Sequence, residues 1–181
     1  MRAAPSAHDL IVTKLRAAGC VFAEDEATLL ISTAGSLDEL DAMVDRRAAG
    51  QPLEHVVGWA EFCGLRIAVA PGVFVPRRRT EFLVGQAAAL TRAGDVIVDL
   101  CCGAGAIGAA VAAATDRAEV HATDIDPVAV RCARQNIAGH VYQGDLYEPL
   151  PGRCPPRAAR PAPAPPPARR PARPSHSTSR R

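Results

Sequence analysis

Several features that would tie a chain to one kind of partner are missing from this sequence. Lysine is reduced to one residue, Lys14, beside twenty arginines, and aromatic side chains are few, with one Trp, two Tyr and four Phe in 181 positions. No apolar run is long enough to span a bilayer or to act as a secretory h-region, so a cytoplasmic protein without membrane contact is expected. Six cysteines occur, Cys20, Cys63, Cys101, Cys102, Cys132 and Cys154. None forms a C-x-x-C pair and no histidine stands at ligand spacing, so no metal site is expected and the thiols are read as reduced. Acidic residues are absent from Gly152 onward, where eight arginines sit. Before Gly152, thirteen basic residues face nineteen acidic ones, a net of −6. The formal +2 of the whole chain therefore averages two unlike parts, and the folded body carries no electrostatic footprint for nucleic acid.

What is present divides into four stretches. In residues 1–50, Leu10, Ile11, Leu15 and Ala18 trace a helical stripe stopped by Gly19, and Glu24 to Ile31 predicts a second helix with acids in its first turn. Ser36 to Glu39, S-x-x-E, predicts a capping box opening a third helix that runs to Ala49. Residues 51–78 form a linker whose two short β-type runs around Gly64 predict a hairpin. In residues 79–151 a helical pattern follows "PRRRTE", and the chain then alternates. Strands are predicted at Val96–Leu100, Glu119–Thr123 and His140–Gln143, with helices at Ala106–Ala114 and Pro127–Ile137 between them. That order implies an α/β fold with a parallel, doubly wound sheet. Residues 152–181 hold almost nothing but Pro, Ala, Arg and Ser, which cannot bury a core, and disorder is expected there.

The stretch "DLCCGAGAIG", Asp99 to Gly108, contains G-x-G-x-x-G between a strand and a helix. Gly103 and Gly105 permit a tight turn and close backbone approach to a ligand, and Gly108 permits helix–strand packing. Such a loop serves dinucleotides and S-adenosylmethionine alike, so its flanks decide. A carboxylate at Asp99 would repel a pyrophosphate and suits a cofactor with an ammonium and a sulfonium. In "HATDID", Asp124 closes the second strand and is placed to accept bonds from both ribose hydroxyls. Asp126 is the second choice for that role, and before Pro127 it also reads as a helix N-cap. Asp145, after the third strand, is the candidate near the adenine. A parallel sheet gathers these strand ends along one crevice, and the cofactor expected is S-adenosyl-L-methionine.

The segments "PGVFVPRRRTEFLV", "VDLCCGAGAIGAAVA", "ATDIDPVAVRCARQN" and "GDLYEPLP" resemble, in that order, the HemK/PrmC protein-glutamine N5-methyltransferases. The resemblance spans about Leu10 to Pro151, is strongest from Gly72 to Leu150, and is nearest an actinobacterial branch carrying the double cysteine. It implies a small helical, substrate-docking domain, a β-hairpin linker and a class I, Rossmann-like methyltransferase domain, incomplete in this chain. The implied activity is methylation of the glutamine side chain in the GGQ motif of a peptide release factor. It places Asp99, Gly103 and Gly105 around the methionine part of the cofactor, Asp124 on the ribose and Asp145 near the adenine. Pro76, Arg77, Thr80 and Glu81 match the family's "PRxxTE" segment beside the cofactor, although Arg77 and Glu81 also read as a surface pair flanking a helix start.

Transfer of a methyl group to an amide needs a site that orients a nitrogen whose lone pair is delocalised. In the family an N-P-P-Y motif does this. Here no Asn follows Asn136 and no Tyr follows Tyr147, so no catalytic residue is assigned. Further strands of the class I sheet are missing as well, which leaves "VIVDL" as an apolar edge and predicts poor folding of the chain alone. The change of composition at Gly152 is read as a frameshift in a GC-rich gene, against a natural basic, Pro-rich extension, and translation of the other frames distinguishes them. The functional alternatives are a non-catalytic partner-binding remnant, a Rossmann oxidoreductase disfavoured by Asp99, and a DNA adenine methyltransferase disfavoured by the acidic body.

Overall fold

The computed structural model describes residues 5–152. The expectations of disorder and of a frameshift concern residues beyond these, and Cys154 also lies outside them.

Three helices open the chain: α1 (Ala7–Ala17), α2 (Ala23–Thr33) and α3 (Leu37–Ala48). Each starts on a physical signal. Ser6 caps α1 in a reciprocal box with Asp9, whose carboxylate accepts from the Ser6 amide at 3.0 Å. The box predicted at Ser36 forms in part. Its hydroxyl accepts from the Glu39 amide, but the Glu39 carboxylate reaches one residue further back, to the Gly35 amide at 2.8 Å. Leu15, Leu30, Met43 and Val44 meet in a first buried cluster. Arg47 grips both oxygens of the buried Glu26, at 2.7 and 3.0 Å, and so ties α3 to α2. The short helix α4 (Leu53–Val57) adds Val56 to this cluster and ends on Gly58 in the left-handed region. It escapes a periodicity search because five residues make little more than one turn.

The hairpin forms as predicted. Strands β1 (Trp59–Phe62) and β2 (Leu65–Ala68) pair antiparallel across a two-residue turn, Cys63–Gly64, both with positive φ. That is the primed turn whose twist suits a hairpin. After a 3₁₀ turn at Arg78–Thr80 comes α5 (Glu81–Leu90), then β3 (Val96–Leu100), α6 (Ala106–Ala114), β4 (Glu119–Asp124), α7 (Pro127–Asn136) and β5 (His140–Gln143). The three strands form a parallel sheet in the order β3-β4-β5, so the α/β class and the crossover order stand. A second buried cluster, including Phe62, Ile67, Val111, Val120 and Ala133, lies between one face of this sheet, α6, α7 and the hairpin. On β4 the alternate residues His121 and Thr123 are also fully buried. His121 lies between Glu119 Oε1 at 2.9 Å and Tyr142 Oη at 3.1 Å.

Candidate cofactor site

Both β3 and β4 end at the same level, and the chain leaves each by a sharp turn. Past β3, Cys101, Gly103 and Gly105 all take positive φ, at 55°, 55° and 76°. The Gly105 amide closes a turn onto Cys102 O at 2.7 Å, and α6 starts at the next residue. The two glycines serve different neighbours. A Cβ built on Gly103 would meet nothing within 4 Å, because this residue faces an open cavity. A Cβ on Gly105 would lie 2.7 Å from Ile137 Cδ1, so its bareness admits the end of α7.

At the tip of β4, Asp124 holds the crevice together. Its Oδ2 accepts from the Gly103 amide at 2.8 Å and its Oδ1 from the Asp126 amide at 2.9 Å. One side chain thus fixes the glycine loop to the following turn, and each oxygen keeps acceptor capacity for a hydroxyl on the cavity side. Asp126 caps α7, its Oδ1 accepting from the Val128 amide at 2.7 Å, the N-cap reading of the Asp-Pro pair.

The cavity in front of these groups has a volume of about 380 Å³. Gly103, Asp124, Asp126, Arg77 and Thr80 share its wall, with Phe74, Cys101 and Ile107 among the other contributors. Pro76 lines it too, so three of the four residues singled out in "PRxxTE" face this cavity and Glu81 does not. Three candidates stand elsewhere. Gly105 packs on Ile137, as above. Asp99 lies beneath the loop with its Oδ2 accepting from the Gly108 amide at 2.9 Å. Burial raises the pKa of its carboxyl, the Gly108 bond lowers it and the nearby Asp124 charge raises it. Asp145 is exposed in the turn after β5 and does not line the cavity, although the amide of the preceding Gly144 donates to Asp124 O at 3.0 Å. Glu81 accepts from the Cys63 amide at 3.3 Å, tying α5 to the hairpin turn. Among the described residues it makes no ion pair with Arg77, whose guanidinium lies 5.3 Å from the Phe74 ring centroid.

Burial, with the carboxylates of Asp99 and Asp124 nearby, pushes the Cys102 thiol up to about 12. It stays protonated at neutral pH, and a protonated thiol is a poor nucleophile.

Two contributors were not singled out from sequence. Phe74 stands within "PGVFVP" but carries no motif of its own. Asn136 occupies the last turn of α7, and its carboxamide pairs with both backbone groups of Ala68, at 2.8 and 2.9 Å, while donating to Ala104 O at 2.8 Å. It thereby links the hairpin to the glycine loop. A polar residue at a helix end gives no signal that its partners lie so far along the chain.

The crevice at the carboxyl ends of parallel strands is where open α/β sheets bind ligands. Its donor set fits S-adenosylmethionine in kind: a carboxylate held for paired hydroxyls, bare loop backbone at Gly103, and one cation, Arg77, in the lining. Residues 64–152 match the family model described as the methyltransferase small domain. The release factor glutamine methyltransferase of Streptomyces coelicolor is 44% identical over 116 residues, which cover 60% of this chain and 41% of that protein. That of Bifidobacterium longum is 37% identical over 140 residues, covering 72% and 47%. That of Escherichia coli is 38% identical over 122 residues, covering 64% and 44%. The chain spans less than half the length of each of these relatives.

Proposed function

Because the chain belongs to the HemK/PrmC family, with a methyltransferase small domain in residues 64–152, we propose that it binds S-adenosyl-L-methionine in the crevice between β3 and β4. Bound there, the cofactor supplies an electrophilic methyl group on a sulfonium. Asp124 accepts from the ribose hydroxyls, with its own orientation locked by the Gly103 and Asp126 amides. Gly103 lets the loop backbone approach the cofactor, and Arg77 and Thr80 contribute to the lining. Asp99 acts from below, holding the start of α6 through Gly108 and keeping negative potential under the loop. Asp126 contributes as the cap of α7, and Asp145 is assigned to the adenine end by family position alone.

The acceptor proposed is the side-chain amide of a glutamine in a protein, on the model of relatives named for release factors. The 181 residues contain no N-P-P-Y, the motif that the family resemblance gives for orienting the amide nitrogen. We infer that this chain carries the cofactor-binding and docking parts and is impaired in transfer. Working in the cytoplasm, it would meet its protein substrate through the α1–α3 unit, without membrane or nucleic acid contact by the folded body. The domain boundaries proposed are 1–50, 51–78, 79–151 and 152–181.

The observation that carries the reading is the Asp124 carboxylate bridging two amides at the mouth of the cavity. Calorimetric titration of S-adenosylmethionine into the full chain is expected to show one site, weakened at least about tenfold in Asp124→Ala by loss of charge-assisted bonds. NADH is expected to give no heat, and a site that takes NADH instead would sink the assignment. Methyl incorporation into a release factor would refute impairment, whereas release-factor binding without turnover would support it.

A further inference from the structure

Three consecutive arginines, Arg77, Arg78 and Arg79, sit at the rim of the cofactor cavity. Arg77 lines the cavity, as do Pro76 and Thr80 on either side of the run, while Arg78 and Arg79 between them face solvent. None of the three guanidinium groups makes an ion pair or hydrogen bond among the described residues, and the one contact recorded for them is Arg77 against Phe74. Outside this run the balance before Gly152 is acidic, at ten basic to nineteen acidic residues. Uncompensated positive charge gathered at one cavity mouth is therefore a local feature and not a general one.

The same rim is apolar. Phe74 and Phe82 are 66% and 74% exposed, and Leu83 is about half exposed. Arg78 precedes Phe82 by four residues, and Arg79 precedes Leu83 by four, across a 3₁₀ turn that runs straight into α5. Two exposed arginines are thus followed, about one turn later in the chain, by two exposed apolar side chains.

We propose that this rim is a docking ledge for an acidic segment of a protein partner, with carboxylates on Arg78 and Arg79 and an apolar side chain against Phe74 or Phe82. The proposal rests on the methyltransferase reading in one respect: the segment docked is the one that brings the methyl acceptor to the cavity. A long polyanion fits less well. Three charges would attract it, but the acidic body would repel the rest of it over the ~8–10 Å reach of electrostatics at moderate salt. An anionic bilayer meets the same repulsion over a wider area. A short carboxylate segment with interspersed apolar residues matches both the charge and the aromatic surface.

The test uses the full chain and a fluorescein-labelled peptide of alternating Glu and Leu around a central Gln. Binding is read by anisotropy, with S-adenosylmethionine affinity measured in parallel by calorimetry. Arg78→Glu with Arg79→Glu is expected to weaken peptide binding about tenfold or more at low salt, and Arg78→Lys with Arg79→Lys to retain most of it. Both variants are expected to bind the cofactor as the unaltered chain does, because neither residue lines the cavity. The basic stretch after Gly152 is common to all forms and cancels in the comparison. Peptide binding untouched by charge reversal overturns the ledge, as does cofactor binding with no peptide binding, which leaves the methyltransferase reading standing. Charge-dependent peptide binding without any cofactor binding overturns the substrate-docking role. Tighter Arg78- and Arg79-dependent binding of an RNA oligonucleotide or of phosphatidylserine vesicles overturns the choice of partner.

Discussion

Asp99 and Asp124 show how position decides what one type of side chain does. Both belong to parallel strands that end at the crevice, yet Asp124 has both oxygens held by amides at the cavity, and Asp99 is buried with its Oδ2 on Gly108. Burial is the main cause that lifts the Asp99 pKa, and the Gly108 bond offsets part of it. A raised folded-state pKa means the folded protein binds that proton more tightly than the unfolded chain. Its contribution to stability is full below the unfolded value of about 3.9 and is lost as pH rises through the folded value. The stability of Asp99→Asn relative to the unaltered chain is therefore expected to improve as pH rises above about 4 and to level off once pH has passed the folded value. Urea melts across that range check it, and a difference that stays flat would show Asp99 unperturbed. An acid at a strand end was legible in "VIVDL", but its direction was not. That direction depends on Gly108 passing so close that a Cβ there would lie 3.0 Å from Asp99 Oδ2.

At the scale of elements, the hairpin, α7 and the glycine loop are joined by Asn136. Its carboxamide replaces a missing backbone partner for Ala68 and holds the Ala104 carbonyl as well. The buried Cys132 reinforces the seam with its thiol 3.2 Å from Ala68 O. Asn136→Ala leaves one amide and two carbonyls without these partners, and at about 1 kcal/mol per lost bond the expected cost is roughly 2–3 kcal/mol. Chemical denaturation measures that cost. Cofactor affinity is expected to fall in the same variant, because the loop that Asp124 grips would lose its second anchor. A normal affinity with lowered stability would confine Asn136 to a structural role. The extents of β3, α6 and β5 were readable from apolar runs, glycine stops and the Asp-Pro start, since these are local signals. The bonds between hairpin and α7 were not, because nothing local marks two partners 68 residues apart.

For the whole molecule, the helical layer extends further than the sheet. Helix α5 packs on α6, whereas β3 is the last strand on that side among the described residues. Val96 is 46% exposed at that edge, and Phe82 and Leu90 on α5 are exposed as well. An unpaired apolar strand edge invites association. The chain is expected to self-associate with rising concentration in light scattering, and Val96→Lys is expected to reduce the effect. Association unchanged in that variant would place the contact elsewhere.

From the sequence alone, the α/β class, the strand order along the chain and the hairpin could be determined, because each rests on local patterns of apolar spacing, glycine and turn residues. Only the tertiary structure decided which residues share a cavity. It put Arg77, Thr80 and Asp124 on one cavity wall, left Asp145 off it and buried Asp99 beneath the loop. The physical reason is that a crevice is assembled from chain turns distant in sequence, each oriented by backbone hydrogen bonds that no single segment encodes.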